Sequence, residues 1–205
     1  MRLFVAIRPP AAVLDHLDAA TAGFRALVGG GGPPALRWTA PEQRHVTLAF
    51  YGDVPDGVLA SLAADLADVA AGVPPLRLEL AGAGSFTRRT LWAGVRAAGG
   101  TDPAALVDLM AACEAAGVGL RGPAAATTHA PRDRRRAHLT LARVSARSRD
   151  VDLGAVVHAL SVYVGPAWTA TEIELVASEL GKGRGGGPLH DVLERVPLGG
   201  GGHDD

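Results

Sequence analysis

The chain has 205 residues, 48% of them hydrophobic, enough for one ordinary domain with a sizeable core or for two small lobes sharing one. Its 20 Lys and Arg nearly cancel 21 Asp and Glu, which excludes a wholly basic nucleic-acid coat and a highly charged disordered chain. Aromatics at 4% leave room for only a small stacking surface, and the single Cys113 excludes an internal disulfide or a Cys-rich metal site.

Leu3 to Ile7 is a short β-rich run ended by Pro9 and Pro10, which predicts a buried strand. Pro10 to Val28 carries Val13, Leu14, Leu17, Phe24 and Leu27 at a helical period and is broken by the glycines from Gly29 on. Arg44 to Tyr51 reads as a strand closed by Gly52-Asp53. Asp56 can cap a helix running to about Ala71, with Leu59, Leu62, Leu66 and Val69 on one face. Leu76 to Leu80 alternates as a half-buried strand, and Thr90 to Val95 is another. Asp102-Pro103 opens a helix with Leu106, Leu109, Met110 and Cys113 turned inward.

Gly122 to Arg136 reads as a loop, Ala137 to Val144 as a strand and Leu153 to Leu160 as a helix. Thr171 to Leu180 and Leu189 to Val196 form two strands around a Gly-rich turn. The expected single domain is 1–198, with a disordered tail at 199–205. Interleaved helices and short alternating strands point to antiparallel rather than long parallel sheets. With no signal-like opening and no long apolar run, the cytosol is the expected compartment and a monomer the default.

One local pattern occurs twice. His45-Val46-Thr47-Leu48-Ala49 returns as His138-Leu139-Thr140-Leu141-Ala142. Two copies so far apart suggest two related halves, each presenting one strand. In a strand, residues i and i+2 share a face, so His45 and Thr47 point together, as do His138 and Thr140, while the residues between pack behind. Facing each other, the copies would offer two imidazoles and two hydroxyls to one cleft. Imidazoles suit acid–base chemistry near neutral pH, and hydroxyls can donate to phosphate oxygens. Neither copy has an adjacent carboxylate or Cys to complete a metal-ligand set, so no metal or other cofactor is expected.

These motifs, together with Arg2 to Ile7, the Trp38 segment, Gly84-Ser85-Phe86, Thr90 to Val95, Arg143 and Ser178-Glu179-Leu180, resemble the 2H phosphoesterase superfamily. Within it they resemble the RNA 2′,3′-cyclic phosphodiesterases, also called 2′-5′ RNA ligases. The resemblance implies a bilobal α+β fold: two pseudo-symmetric lobes, each with a small antiparallel sheet and outer helices, and an active-site cleft between them. It implies that His45 and His138 are catalytic, the first as acid and the second as base, with Thr47 and Thr140 on phosphate. It places Phe50 near a nucleobase and Arg143 on phosphate. In a regular strand both would face away from the histidines, so they reach the cleft only where the strand ends, twists or bulges. Ala137 stands where the family commonly has Pro, and His190 where it often has Tyr.

The implied activity is hydrolysis of RNA or nucleotide 2′,3′-cyclic phosphate ends to 2′-phosphomonoesters. Cleavage or ligation of 2′-5′ linked oligonucleotides and a non-catalytic RNA-phosphate-binding module are the alternatives. Residues 121–149 hold eight Arg against Asp133 alone, a local net of +7 in a chain of net −1. Arg132, Arg134, Arg135 and Arg136 within it are candidate contacts to an RNA backbone. The glycines around Lys182 lack the spacing of a phosphate-binding loop and read as a hairpin turn.

Overall fold

The computed structural model describes residues 1–27, 35–55, 57–120, 136–145, 152–183 and 187–199. Strand β1 (Arg2–Ile7) is five-sixths buried, as its Leu-Phe-Val-Ala-Ile run requires, and stops before Pro9-Pro10. The Pro10 carbonyl accepts from Val13 and Leu14 at the start of helix α1 (Ala11–Leu27), which buries Val13, Leu14 and Leu17. β2 (Leu36–Trp38) and a 3₁₀ turn at Pro41–Gln43 lead to β3 (Val46–Asp53). Pro41 starts that turn, so Arg44 and His45 are an extended lead-in and not the first strand residues expected.

Helix α2 (Leu59–Ala71) buries Leu62 and Leu66 but has no side-chain cap, and the expected cap Asp56 lies outside the described residues. β4 (Leu76–Phe86) runs six residues past the alternating stretch seen in sequence, because a bulge between Leu80 and Ala83 carries it onward. β5 is Thr90–Ala97, and α3 (Ala105–Ala116) buries Leu106, Leu109, Met110 and Cys113 as its period predicts. β6 is His138–Val144. In α4 (Leu153–Ala159) the Asp152 carboxylate accepts from the amides of Gly154 and Ala155. β7 (Trp168–Ala170), β8 (Glu172–Glu179) and β9 (Leu189–Pro197) complete the chain; the expected tail beyond Gly199 lies outside the described residues.

The strands form one antiparallel nine-stranded sheet in the order β7-β4-β5-β6-β3-β1-β8-β9, with β2 on β6. The α+β class stands, but the two small sheets are joined through the β6–β3 edge. The division of the chain also differs from the simple halves suggested by the repeat. One set of four strands uses the two ends of the chain (β1, β3, β8, β9), and the other uses its middle (β4, β5, β6, β7). Helix α3 contacts both β3 and β5, α2 lies against β8 and β9, and α4 lies on β4. One apolar cluster runs under both strand sets. On the opposite face, Phe4, Ala6 and Val176 make a smaller one.

Candidate active site

The two repeated strands are direct neighbours. β3 and β6 pair antiparallel with Val46 opposite Leu139, the middle residue of each His-x-Thr. Both are fully buried on the helix-covered face. Alternation then puts His45, Thr47, His138 and Thr140 together on the other face, each partly exposed. Carried one residue either way, the register sets His45 beside Thr140 and Thr47 beside His138. A local two-fold axis through the Val46–Leu139 pair exchanges the two motifs, and the histidine Cα atoms fall about 8 Å apart.

Both strands bulge at the same motif position. β1 skips Leu48, pairing Ala6 with Thr47 and Val5 with Ala49. β5 skips Leu141, pairing Trp92 with Thr140 and Leu91 with Ala142. Leu48 and Ala49 therefore both point to the core, as do Leu141 and Ala142. The extra residue reverses the alternation, and Phe50 and Arg143 emerge on the histidine face. That meets the condition under which the sequence allows them into the cleft. Phe50 is 37% exposed under the Arg2 guanidinium, and Arg143 is exposed.

The imidazoles are held alike. His45 Nδ1 lies 2.8 Å from the Gln43 carbonyl and His138 Nδ1 2.8 Å from the Arg136 carbonyl, each two residues upstream. A carbonyl only accepts, so both Nδ1 atoms carry hydrogen, and proton exchange with a substrate falls to Nε2. Their surroundings differ. Phe4 stacks on His45 with centroids 4.7 Å apart, and His190 meets it edge-on at 5.2 Å. His138 is met edge-on by Phe86 at 4.9 Å, with Trp92 at 6.1 Å. Burial, and then the neighbouring His190, Arg8 and Arg143, bring the His45 pKa down to about 4 despite the Gln43 hydrogen bond. His45 is thus neutral at pH 7. Burial and Arg8 also lower the pKa of His190.

Phe4, Arg8, Phe86 and Trp92 join the site without having been singled out for it by the sequence, and His190, noted there as standing where the family often has Tyr, joins it as well. Phe4, Phe86 and Trp92 stand in the segments that carry the resemblance, but only strand register shows that they touch the histidines. Arg8 is anchored by Glu174 at 3.1 Å and donates to the Glu42 carbonyl at 2.7 Å. Arg132, Arg134 and Arg135 lie outside the described residues. Arg136 is exposed, its guanidinium 5.4 Å from the Trp92 ring centroid. Among the described residues no group of three or more His, Cys, Asp or Glu is gathered to hold a metal, and no helix is long and apolar enough to cross a membrane.

The family described as LigT-like phosphoesterase matches residues 7–95. An RNA 2′,3′-cyclic phosphodiesterase of Methanothermobacter thermautotrophicus is 29% identical over 164 residues, covering 78% of this chain and 80% of that protein. An RNA 2′,3′-cyclic phosphodiesterase of Geobacillus stearothermophilus is 46% identical over 67 residues, which is 31% of this chain and 21% of that relative's length. The crystal structure of TT0787 from Thermus thermophilus is similar with a TM-score of 0.71 at 27% identity, covering 98% of this chain and 100% of that one.

Proposed function

We propose that this chain, which resembles the LigT-like phosphoesterases of the 2H superfamily, opens RNA or nucleotide 2′,3′-cyclic phosphates to 2′-phosphomonoesters by two-histidine acid–base catalysis. The observation that carries the reading is the placement of His45 and His138 on one face, each anchored through Nδ1 and flanked by a threonine of the other strand.

One imidazole takes a proton from water as its oxygen bonds to phosphorus. The other gives a proton to the ribose 3′ oxygen as the bond from that oxygen to phosphorus breaks. The Thr47 and Thr140 hydroxyls and the Arg143 guanidinium donate to the non-bridging oxygens, where charge builds. In the implied assignment His45 is the acid, and its low pKa without substrate makes the substrate part of the device. A phosphate anion about 4 Å away contributes about 4 kcal/mol at an effective dielectric near 20, enough to restore the proton. His45 then becomes charged only when there is a leaving group to protonate.

The test is hydrolysis of a 2′,3′-cyclic nucleotide, and of an RNA ending in one, in the presence of EDTA. Turnover to the 2′-phosphate is expected, with loss in His45→Ala and in His138→Ala. Full activity in either variant would overturn the two-histidine mechanism.

A further inference from the structure

Beside the histidine pair lies a second concavity that the chemistry above does not use. It is a cavity of about 380 Å³ where β5 runs on past the first residue of β6. Trp92, Arg96, Val107, Arg136 and Ala137 line it, over a floor of small residues that includes Gly82 and Gly94. Its volume is within the range of small-ligand sites.

We propose that this cavity is the subsite for the penultimate nucleotide, the one immediately 5′ of the nucleotide that carries the cyclic phosphate, its base against the Trp92–Arg136 pair and its phosphate on arginine; this rests on the cyclic phosphodiesterase reading. The cavity adjoins the reacting centre, since Arg136 and Ala137 are the two residues before His138 and the Trp92 ring lies 6.1 Å from the His138 ring. An occupant there is close enough to be part of the same RNA strand. The lining has the chemistry for it, because the exposed Arg136 guanidinium, laid over the buried Trp92 indole, offers a flat face to any base and arginine offers charge to the backbone. Trp92 lies across Gly84, where a Cβ would come within 2.1 Å of the indole, so the ring sits flat at a place that only glycine permits. Arg136 has no carboxylate partner among the described residues, whereas Arg96 is held by Glu79 at 2.6 Å. Arg136 is therefore the cation available to a phosphate.

The experiment compares a 2′,3′-cyclic mononucleotide with a dinucleotide and a trinucleotide of the same cyclic end. The wild type should turn over the dinucleotide with kcat/KM about tenfold above the mononucleotide, with little further gain for the trinucleotide. Val107→Trp, which fills the cavity from α3, should abolish that advantage while the mononucleotide rate stands. Arg136→Gln, at an exposed position, should reduce the advantage and its sensitivity to salt. Equal use of all three substrates by the wild type, or an advantage intact in both variants, overturns the subsite. If nothing is hydrolysed, the proposed function falls alone. Calorimetry with 2′-phosphate-ended mono- and dinucleotides then decides the subsite, tighter dinucleotide binding supporting it and equal binding overturning it.

Discussion

Val46 and Leu139 face each other in the registered pair that joins β3 to β6, and both His-x-Thr motifs are arranged around them. They are the central residues of two copies of one motif, so the two-fold axis through them exchanges His45 with His138 and Thr47 with Thr140. In the proposed reaction the copies serve opposite ends of one displacement. Each single His→Ala variant should lose about 10²- to 10⁴-fold in kcat, and the double variant little more, because the groups act as a unit. A substrate with sulfur in place of the 3′ bridging oxygen separates the roles, since a thiolate leaves with little need of a proton. It should rescue His45→Ala and not His138→Ala. Rescue in the reverse pattern would exchange the acid and the base.

The pH profile follows from the surroundings of His45. Its folded pKa of about 4 is below the ordinary 6.5, so protonation is harder in the folded than in the unfolded protein. Stability is therefore unaffected above about 6.5 and declines as pH falls through 6.5 towards 4, by about 3 kcal/mol from this residue. Chemical denaturation of the wild type and His45→Gln between pH 7 and 4 should show the variant losing less. In kcat/KM one limb should lie near pH 4 whichever role His45 takes. His190→Phe keeps an aromatic edge against His45 but removes a repelling charge, and should move that limb upward. A limb that stays in place would leave burial, with Arg8 and Arg143, as the cause.

The sequence was legible where one residue type repeats at one period. The inward faces of α1 and α3 follow from apolar spacing, and the His-x-Thr faces follow from strand alternation. What stayed hidden depends on contacts between distant segments. Nothing local in Leu36 to Trp38 or Trp168 to Ala170 marks a strand; each exists because a neighbour's edge supplies its hydrogen bonds. The joining of two sheets through Val46 and Leu139 is likewise a tertiary fact. Phe4 and His190 are 186 positions apart in the chain, yet both rings rest on His45 because β1 and β9 flank β8.

The bulge at Leu141 makes a separable prediction about Arg143. It turns Arg143 to the histidine face while Leu141 and Ala142 both fill the core. Arg143 is exposed, so replacing it leaves no buried group unpaired. Arg143→Gln should keep the wild-type melting temperature but lower kcat/KM about 10- to 100-fold, the worth of one hydrogen-bonded charge on a phosphate. Arg143→Lys should recover part of that, keeping the charge without the two-pronged geometry. A large fall in melting temperature for Arg143→Gln would show that the residue holds the strand instead.

Arg44, next to His45, is a strong determinant of stability by its position. Its side chain is only 1% exposed; Nη1 lies 2.7 Å from Asp18 Oδ1, an ion pair whose angle falls short of a hydrogen bond, and Nε donates to the Thr39 carbonyl at 3.0 Å. Arg25 also pairs with Asp18, so one carboxylate of α1 is shared by two guanidiniums, one of them sealed from water. Removing that carboxylate strands a buried cation, a loss of about 3–5 kcal/mol in comparable cases. Asp18→Ala should therefore destabilise strongly in urea, while Arg44→Met with Asp18→Ala should be closer to wild type, because the apolar chain fills the space without charge. In the double variant the backbone ahead of His45 loses its tether to Thr39. Activity should then fall further than stability does, and a double variant with wild-type kcat would show that Arg44 serves the fold alone.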